Sequence, residues 1–292
     1  MRIRQLWMNI GFAWLLASCA SAPKVTKESL QFFPNGADIY LQVNIPGFRS
    51  LGKDANKVFR WLPKKNLRTG LDFTGQVSLF LYDETFMLRA IGTYPKSLIL
   101  GQLRKQAEGV YEEDNEIFTL SISPEISFIK KDAPWQLQIP ASGTIYFSNA
   151  LRYHLAQMRQ VTTSQIPVRV QQALQSSKNA VIYIPDISVF QDLDNLTKPL
   201  LIPLRRILVV ITPKGGKYLS EFFVFFDDDK EREQKLRAQA KFIYSNFANN
   251  KSIKHFTYEV MDDGIRFQFE IKHKSIIQLL KMRKQEPKIA SI

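Results

Sequence analysis

Residues 206–226 read Arg-Ile-Leu-Val-Val-Ile-Thr-Pro-Lys-Gly-Gly-Lys-Tyr-Leu-Ser-Glu-Phe-Phe-Val-Phe-Phe, and this stretch decides the fold prediction. Two runs of β-branched and aromatic residues flank the turn-forming segment Pro213–Lys217, and this composition is typical of a β-hairpin. Residues 76–91 repeat the pattern, with two apolar runs on either side of Asp83-Glu84. Both stretches therefore predict antiparallel strand pairs.

Similar elements surround each hairpin. A strand at residues 35–41 resembles another at residues 178–184, and each leads into a helical pattern. In these first helical patterns the apolar residues are spaced three, four and seven apart, which places them on one buried face. A second helical pattern with one apolar side follows each hairpin. The predicted helices cover residues 48–61 and 95–107 in the first half, and 188–200 and 228–247 in the second.

The order strand–helix–strand–strand–helix–strand therefore occurs twice, and it is the order of a ferredoxin-like unit. The last two strands, within residues 256–271, are joined by the turn Asp262-Asp263-Gly264, a strong hairpin signal. We expect an α+β fold of two tandem, duplicated ferredoxin-like units with mostly antiparallel sheets. The predicted parts are a signal peptide at 1–18, a lipidated tether at 19–31, a first repeat at 32–147, a helical connector at 148–176 that breaks near Pro167, a second repeat at 177–284 and a tail at 285–292.

The N-terminal segment has the parts of a secretory signal. Arg2 and Arg4 precede an apolar run at residues 10–16, and small residues follow it. The sequence Leu16-Ala17-Ser18-Cys19 resembles the lipobox of bacterial lipoproteins. The resemblance implies that Cys19 becomes the first residue of the mature chain and carries two or three acyl chains, palmitate among them. Two chains anchor a protein stably, whereas one does so only marginally.

Two alternatives to a lipid anchor remain at this point. The first is a secreted soluble protein with an incidental cysteine, although all four lipobox positions match and Cys19 is the only cysteine. The second is an uncleaved membrane helix, but a span needs about 20 apolar residues and this run is about half as long. Ala20 and Ser21 follow the cysteine in place of an aspartate, so the resemblance implies the outer membrane of the cell envelope.

The composition is that of a globular protein with a marked basic excess. The 292 residues are 45% hydrophobic, which is enough for a sizeable core. The net charge is +13, and loss of Arg2 and Arg4 with the signal segment would lower it by two. A basic excess suits an anionic surface, and in the envelope this means lipid headgroups or an acidic polymer rather than nucleic acid. The alternative is solubilising charge spread evenly over the surface.

The chain contains three histidines, which are its natural candidates for catalytic or metal-binding residues. His154 lies in a helical segment, and His255 and His273 flank the last hairpin among lysines. None forms the close helical pair of a zinc protease. A hydrogen-bonded or solvated histidine is therefore expected at each position, and the single cysteine leaves no thiolate metal site or internal disulfide.

Turn and acidic segments give no clear site either. Gly215-Gly216 lies between two strands, whereas a phosphate loop requires a helix after its glycines. The acidic run at residues 112–114 lacks the alternation of a calcium loop. The run at residues 227–229 suits the start of a helix. We expect no metal, no cofactor and no catalytic residue, and hence a non-enzymatic protein.

Two amphipathic helices in the connector could bind the membrane or the core. Leu151, Leu155 and Met158 form one apolar stripe, with Arg152 and Arg159 elsewhere around that helix. The second stripe consists of Ile166, Val170, Ala173 and Leu174, with Arg169 beside it. A basic amphipathic helix can lie on a membrane surface. More commonly it packs its stripe on its own sheet, which is the interpretation we favour.

The sequence thus predicts a membrane-anchored envelope lipoprotein whose role is binding. Its expected partners are the membrane, through the anchor at Cys19, and a hydrophobic or lipid ligand. Helices over a curved antiparallel sheet can enclose an apolar pocket, which is the geometry of such a carrier. The alternative is an assembly or scaffold protein that holds an envelope protein or an acidic polymer on an exposed patch.

Overall fold

The computed structural model describes twelve ranges of the chain. They are residues 36–48, 74–93, 95–105, 110–113, 117–120, 135–141, 143–159, 167–176, 179–189, 204–226, 232–247 and 253–272.

These ranges contain twelve strands, four α-helices with defined bounds and one 3-10 helix (Ile187–Val189), and residues 45–48 are helical as well. The strands are β1 (Ile39–Asn44), β2 (Thr74–Leu81), β3 (Phe86–Gly92), β4 (Val110–Glu113), β5 (Ile117–Leu120), β6 (Trp135–Gln138), β7 (Thr144–Ser148), β8 (Ala180–Ile184), β9 (Leu204–Lys214), β10 (Lys217–Phe226), β11 (Ile253–Met261) and β12 (Gly264–Lys272). The helices are α1 (Lys96–Lys105), α2 (Leu151–Arg159), α3 (Val168–Gln175) and α4 (Arg232–Phe247).

All twelve strands belong to one sheet, in the order β11-β12-β10-β9-β8-β1-β2-β3-β7-β6-β5-β4. Every pair of neighbouring strands is antiparallel. The two halves of the chain meet at the centre, where β1 pairs with β8 and Tyr40 lies opposite Tyr183. One continuous sheet therefore runs through both halves.

The prediction of two ferredoxin-like units is wrong. In such a unit the strands on either side of the first helix run parallel, with a third strand inserted between them. Here β1 pairs directly and antiparallel with β2, and β8 does the same with β9. After β1 the chain therefore returns to the neighbouring strand β2, and after β8 to the neighbouring strand β9. Neither pair leaves room for a third strand between its members. The result is a mostly β architecture built on a single large antiparallel sheet.

The predicted hairpins themselves are confirmed by the strand register. Leu81 pairs with Phe86 at the end of β2–β3, and Lys214 pairs with Lys217 at the end of β9–β10. The loop between β9 and β10 is Gly215-Gly216, with φ angles of 53° and 78°. Positive φ at both loop residues is the requirement of a type I′ turn, which glycine meets without steric cost.

The helices lie on two faces of this sheet. We call the face that carries Tyr40, Gln42 and Asn44 the inner face. Helices α2 and α3 cover it at the central strands, where Val170 and Leu174 join the largest apolar cluster. Helices α1 and α4 pack on the opposite face, toward the β4 and β11 ends of the sheet.

Helices α2 and α3 both lie in the segment that was predicted to be helical, residues 148–176. Helix α2 ends at Arg159 and α3 begins at Val168, directly after Pro167. In the α3 stripe Val170 and Leu174 are buried and Ala173 is half-buried, whereas Ile166 lies outside the described residues. Leu151 is buried as well, and Leu155 packs against the central cluster. The apolar stripes therefore contact the protein's own sheet. Within the described ranges, no helix has the length and apolar character needed to cross a membrane.

Several predictions lie outside the described residues. They are the signal peptide and Cys19, the tether, most of the helices at 48–61 and 188–200, the acidic run at 227–229, His273 and the tail at 285–292.

Candidate functional site

A row of polar side chains crosses the inner face of the three central strands. In β1 the buried positions are Tyr40, Gln42 and Asn44, whereas the alternate positions are half-buried. Gln42 lies opposite Ser78 and Asn44 opposite Gln76, and Ser78 in turn faces Arg89. All of these side chains are buried. We call this set the polar row; its members are Gln42, Asn44, Gln76, Ser78 and Arg89.

The first two members hold the C-terminal end of α3. The Gln42 Nε2 donates to the Leu174 carbonyl at 2.6 Å, and the Asn44 Nδ2 donates to the Ser176 carbonyl at 2.7 Å. The last four carbonyls of a helix lack partners within the helix. The amides of the sheet supply donors to this end of α3, which positions the helix over the central strands. The Asn44 Nδ2 also donates to the Asn179 carbonyl at 2.8 Å.

The row continues from strand to strand through its side chains. Gln76 Nε2 donates to Asn44 Oδ1 at 3.0 Å, and Ser78 Oγ lies 3.5 Å from Gln42 Oε1. Arg89 Nη2 lies 3.5 Å from Gln76 Oε1. Buried polar groups are costly unless they are hydrogen-bonded, and these contacts supply partners to the side-chain amides of Gln42, Asn44 and Gln76.

Arg89 brings a cation into this layer. Its side chain is only 2% exposed, and desolvation lowers its pKa, while a hydrogen bond with Tyr146 acts in the opposite direction. Burial also raises the pKa of Tyr146, which keeps its hydroxyl protonated. A buried cation carries a desolvation penalty of several kcal/mol. Arg89 is therefore an unusual residue to retain in a core for stability alone.

Apolar residues enclose the row. The same layer holds Phe80 and Met87 from the sheet, and Val170 and Leu174 from α3. All four are almost fully buried. The layer between the sheet and the two helices is therefore amphipathic, with a polar line running through an apolar cluster.

A second buried polar pair consists of His154, which lies in α2, and Tyr82, which follows β2. The His154 ring stacks on Tyr82 with 4.4 Å between centroids, and His154 is fully buried. Neither ring nitrogen of His154, nor the Tyr82 hydroxyl, has a hydrogen-bond partner in the described part of the chain. Burial lowers the pKa of His154 to about 4 and raises the pKa of Tyr82. His154 is therefore neutral at physiological pH.

The predicted histidine environments differ from this outcome in one case. The prediction of a hydrogen-bonded or solvated His154 is wrong, because its ring is buried against Tyr82 with no hydrogen-bond partner in the described ranges. His255 lies exposed in β11, with a φ of 53°. These two histidines lie on different elements at separate parts of the sheet, and the third lies outside the described ranges. Among the described residues, no three His, Cys, Asp or Glu side chains group as metal ligands.

The other predicted segments have simple places in the fold. Gly215-Gly216 forms the β9–β10 turn, as predicted. Glu112 and Glu113 end the edge strand β4, and Asp114 lies beyond the described part of that strand. Neither segment adjoins the polar row.

Comparison with known proteins identifies the fold. No protein-family model matches the sequence, and no curated protein matches it. Crystal form III of TP0453 superposes with a TM-score of 0.60 at 15% sequence identity, covering 89% of this chain and all of that one. Crystal form IV gives a TM-score of 0.58 at 16% identity, covering 87% and 99% of the two chains. Form I gives 0.55 at 17% identity, covering 85% and 94%. At these identities the similarity establishes the fold.

The polar row was missed in the sequence because β1 alternates in the usual way. Ile39, Leu41 and Val43 occupy one set of positions, and such residues normally point toward the core. Here the polar set faces the core beneath α3 and is the more buried of the two. The one available signal was an Asn and a Gln spaced two apart in a strand whose other residues are all apolar or aromatic.

Proposed function

We propose that this chain is a lipid-anchored, non-enzymatic protein of the bacterial envelope that binds a lipid between its central strands and the helices α2 and α3. The observation that carries the proposal is the amphipathic layer beneath α3. Its apolar residues suit an acyl chain, and Arg89 with the neighbouring amides suits an anionic headgroup. Because Val170 and Leu174 fill the space above the row, a ligand reaches it only when α3 lifts.

Membrane anchorage and outer-membrane location rest on the N-terminal sequence. The lipobox-like Leu16-Ala17-Ser18-Cys19 supports acylation, and the absence of aspartate after Cys19 supports the outer membrane. The fold shared with TP0453 supplies a body of the same architecture. The basic excess of the chain is compatible with an anionic membrane surface.

A binding role fits the histidine better than catalysis does. A hydrolase of the serine–histidine type needs a nucleophile hydrogen-bonded to its base. The His154 ring nitrogens have no such partner among the residues that the structure describes, and burial alone lowers the pKa of this histidine. This arrangement is that of a core residue rather than a general base.

The anchor is tested by metabolic labelling with a palmitate analogue. The natural chain is expected to incorporate label and to remain with the membrane fraction. Cys19→Ala is expected to lose both. Equal labelling of the two proteins would rule out acylation at Cys19.

The ligand is tested on a chain that begins at Ala20, purified under native conditions and examined for lipid by mass spectrometry. Stoichiometric lipid is expected, and Arg89→Gln is expected to lose anionic lipid selectively. Arg152→Gln, which changes an exposed arginine on α2, serves as the matched control and is expected to retain it. A lipid-free natural chain would contradict the carrier role and favour the scaffold alternative.

A further inference from the structure

A cluster of aromatic rings emerges at the β11 edge of the sheet. The Tyr244 ring of α4 stacks on Phe256 at 5.4 Å between centroids and contacts Tyr258 at 5.5 Å. Phe256 stacks in turn on Phe267 at 5.8 Å and contacts Phe269 at 5.7 Å. Five rings thus form a continuous series from the outer-face core to the surface.

The outermost rings of this series are exposed. Tyr244, on α4, is 37% exposed. Tyr258, on the edge strand β11, is 40% exposed. Single exposed apolar residues are ordinary on a protein surface. A contiguous set of rings at a sheet edge differs, because it continues a packed cluster and leaves its outer surface uncovered.

Cations border these rings on the same side. Arg237 and Lys241 precede Tyr244 by seven and three residues, so all three lie on one flank of α4. The one acid of β11, Glu259, accepts a hydrogen bond from Arg266, and both side chains lie on the inner face of the sheet. The same flank of α4 also carries Glu233, four residues before Arg237 and farther from Tyr244. Its two cations therefore outnumber its one acid, and both cations lie between Glu233 and the exposed ring of Tyr244. We call this set the aromatic rim: Arg237, Lys241, Tyr244, Phe256 and Tyr258.

We propose that the aromatic rim is a docking surface for anionic lipid headgroups. Tyrosine concentrates at membrane–water interfaces, where its ring meets the acyl boundary and its hydroxyl meets water. Nearby lysine and arginine side chains add attraction to an anionic surface. The rim thus orients the folded body against the bilayer. This inference goes beyond the proposed function, because it requires neither a ligand beneath α3 nor acylation of Cys19.

A peptide strand added to β11 is the competing occupant, and the backbone disfavours it. The register of β11 shifts between Lys254 and Thr257, and His255 has a φ of 53°. Such a bulge interrupts the regular row of N–H and C=O groups that an added strand requires. The charge and the rings remain available to a headgroup layer, which needs no backbone pairing.

The test measures how fast Lys241 reacts with a water-soluble amine reagent. The full protein, isolated from its membrane, is bound to vesicles of phosphatidylcholine alone or with one quarter phosphatidylglycerol, and labelling is read by mass spectrometry. Labelling of Lys241 is expected to be roughly fivefold slower on the anionic vesicles. About 0.5 M salt is expected to remove the difference, because the Debye length is then below about 5 Å. Equal rates on both vesicles would overturn the proposal.

Variants separate the rim from the rest of α4. Tyr244→Ser combined with Tyr258→Ser is expected to abolish most of the protection of Lys241. Phe242→Ser is the matched control, because Phe242 is 49% exposed and lies about 200° around the helix from Tyr244. Loss of protection in the control, or full protection in the double variant, would contradict the rim. Circular dichroism checks that each variant is folded.

A charge variant keeps the proposal testable if the double variant does not fold. Arg237→Gln leaves every ring in place. It is expected to reduce about fivefold the ratio of the Lys241 labelling rates on neutral and anionic vesicles. Protection of Lys241 by envelope protein extract but by neither vesicle would make the partner a protein and refute the lipid assignment. A failure of acylation has a separate signature. The protein would not float with neutral vesicles, but Lys241 would still react more slowly on anionic vesicles.

Discussion

Helices α3 and α4 both lie across antiparallel strands, but their contacts with the sheet differ in chemistry. Beneath α4, Leu236 and Ala240 pack in a cluster of apolar and aromatic residues that includes Phe267, and Gln239 is the one polar side chain of α4 that is buried among the described residues. Beneath α3, apolar contacts are combined with hydrogen bonds from the polar row, as from Gln42. Apolar contact is non-directional, whereas hydrogen bonds fix one arrangement. We infer that buried apolar surface stabilises the α4 region, and that the hydrogen bonds of the polar row fix the position of α3.

The largest expected effect is at the aromatic end. Phe267→Ala removes a nearly buried ring from the α4 cluster, and it is expected to lower the free energy of unfolding by about 3–5 kcal/mol. Chemical denaturation measures this change. Phe242→Ala, at an exposed position of α4, is expected to change stability by less than about 0.5 kcal/mol. Similar losses in both variants would mean that the cluster is not a stabilising core.

A smaller effect with a more local consequence is expected in the polar row. Asn44→Ala removes the donor to the Ser176 and Asn179 carbonyls and the acceptor for Gln76. Leaving such buried groups without partners is expected to cost about 2–3 kcal/mol. Amide hydrogen exchange is expected to rise in α3 while α4 stays protected.

Ser78→Ala gives the matched comparison for Asn44→Ala. The Ser78 hydroxyl makes only a 3.5 Å contact with Gln42, so its loss is expected to cost below about 1 kcal/mol and to leave α3 protected. If both variants left α3 exchange unchanged, the polar row would not be what positions the helix.

The hairpins were predictable from the sequence because their signals are local. Strand runs and turn residues lie within about twenty positions of one another, as in residues 206–226, and the type I′ turn follows from two glycines. The joining of the halves is non-local. Tyr40 and Tyr183 are neighbours across strands far apart in the chain, and neither strand's pattern specifies its partner. The element order alone therefore suggested the wrong, duplicated architecture.

The candidate site was predictable only in part, for a related reason. The apolar stripe of α3 was predicted from helical spacing, and two of its residues, Val170 and Leu174, are buried. The burial of Gln42 and His154 depends on which helix covers which face, and this is set by tertiary docking. A residue's own strand or helix pattern does not contain that information.

A third prediction uses pH to distinguish the two helix regions. Burial lowers the pKa of His154 to about 4, below the ordinary value of 6.5, so the unfolded chain binds a proton more readily. The contribution of neutral His154 to the free energy of unfolding is therefore retained above pH 6.5, and it is lost as the pH falls toward 4. From pH 7 to 4.5 the loss attributable to His154 is expected to be about 2 kcal/mol.

His154→Leu isolates this contribution. Denaturation curves at both pH values are expected to show a pH dependence that is weaker by that amount in the variant. An unchanged pH dependence would mean that His154 titrates normally. Substitutions beneath α4, such as Phe267→Ala, are expected to leave the pH dependence as in the natural chain.

The smallest expected effect concerns the bulge at the aromatic end. Lys254 and Thr257 both lie on the inner face, opposite Glu270 and Gln268, so one extra residue is accommodated between them. Simple alternation from Lys254 would direct Phe256 to the inner face, whereas the bulge directs it onto Phe267. His255 adopts the left-handed conformation that makes this possible.

Glycine accepts that conformation without steric cost, so His255→Gly is expected to stabilise the fold by about 0.5 kcal/mol, after the greater freedom of its unfolded state is included. Lys254 does not have a positive φ, so Lys254→Gly brings no relief of strain. It is expected to destabilise the fold by about 0.5–1 kcal/mol. Thermal unfolding of the two variants measures the difference. Opposite signs would show that the bulge carries backbone strain in order to place Phe256 in the aromatic series. Equal destabilisation would mean that the ring contacts hold His255 without strain, and that packing alone sets the geometry at this end of the sheet.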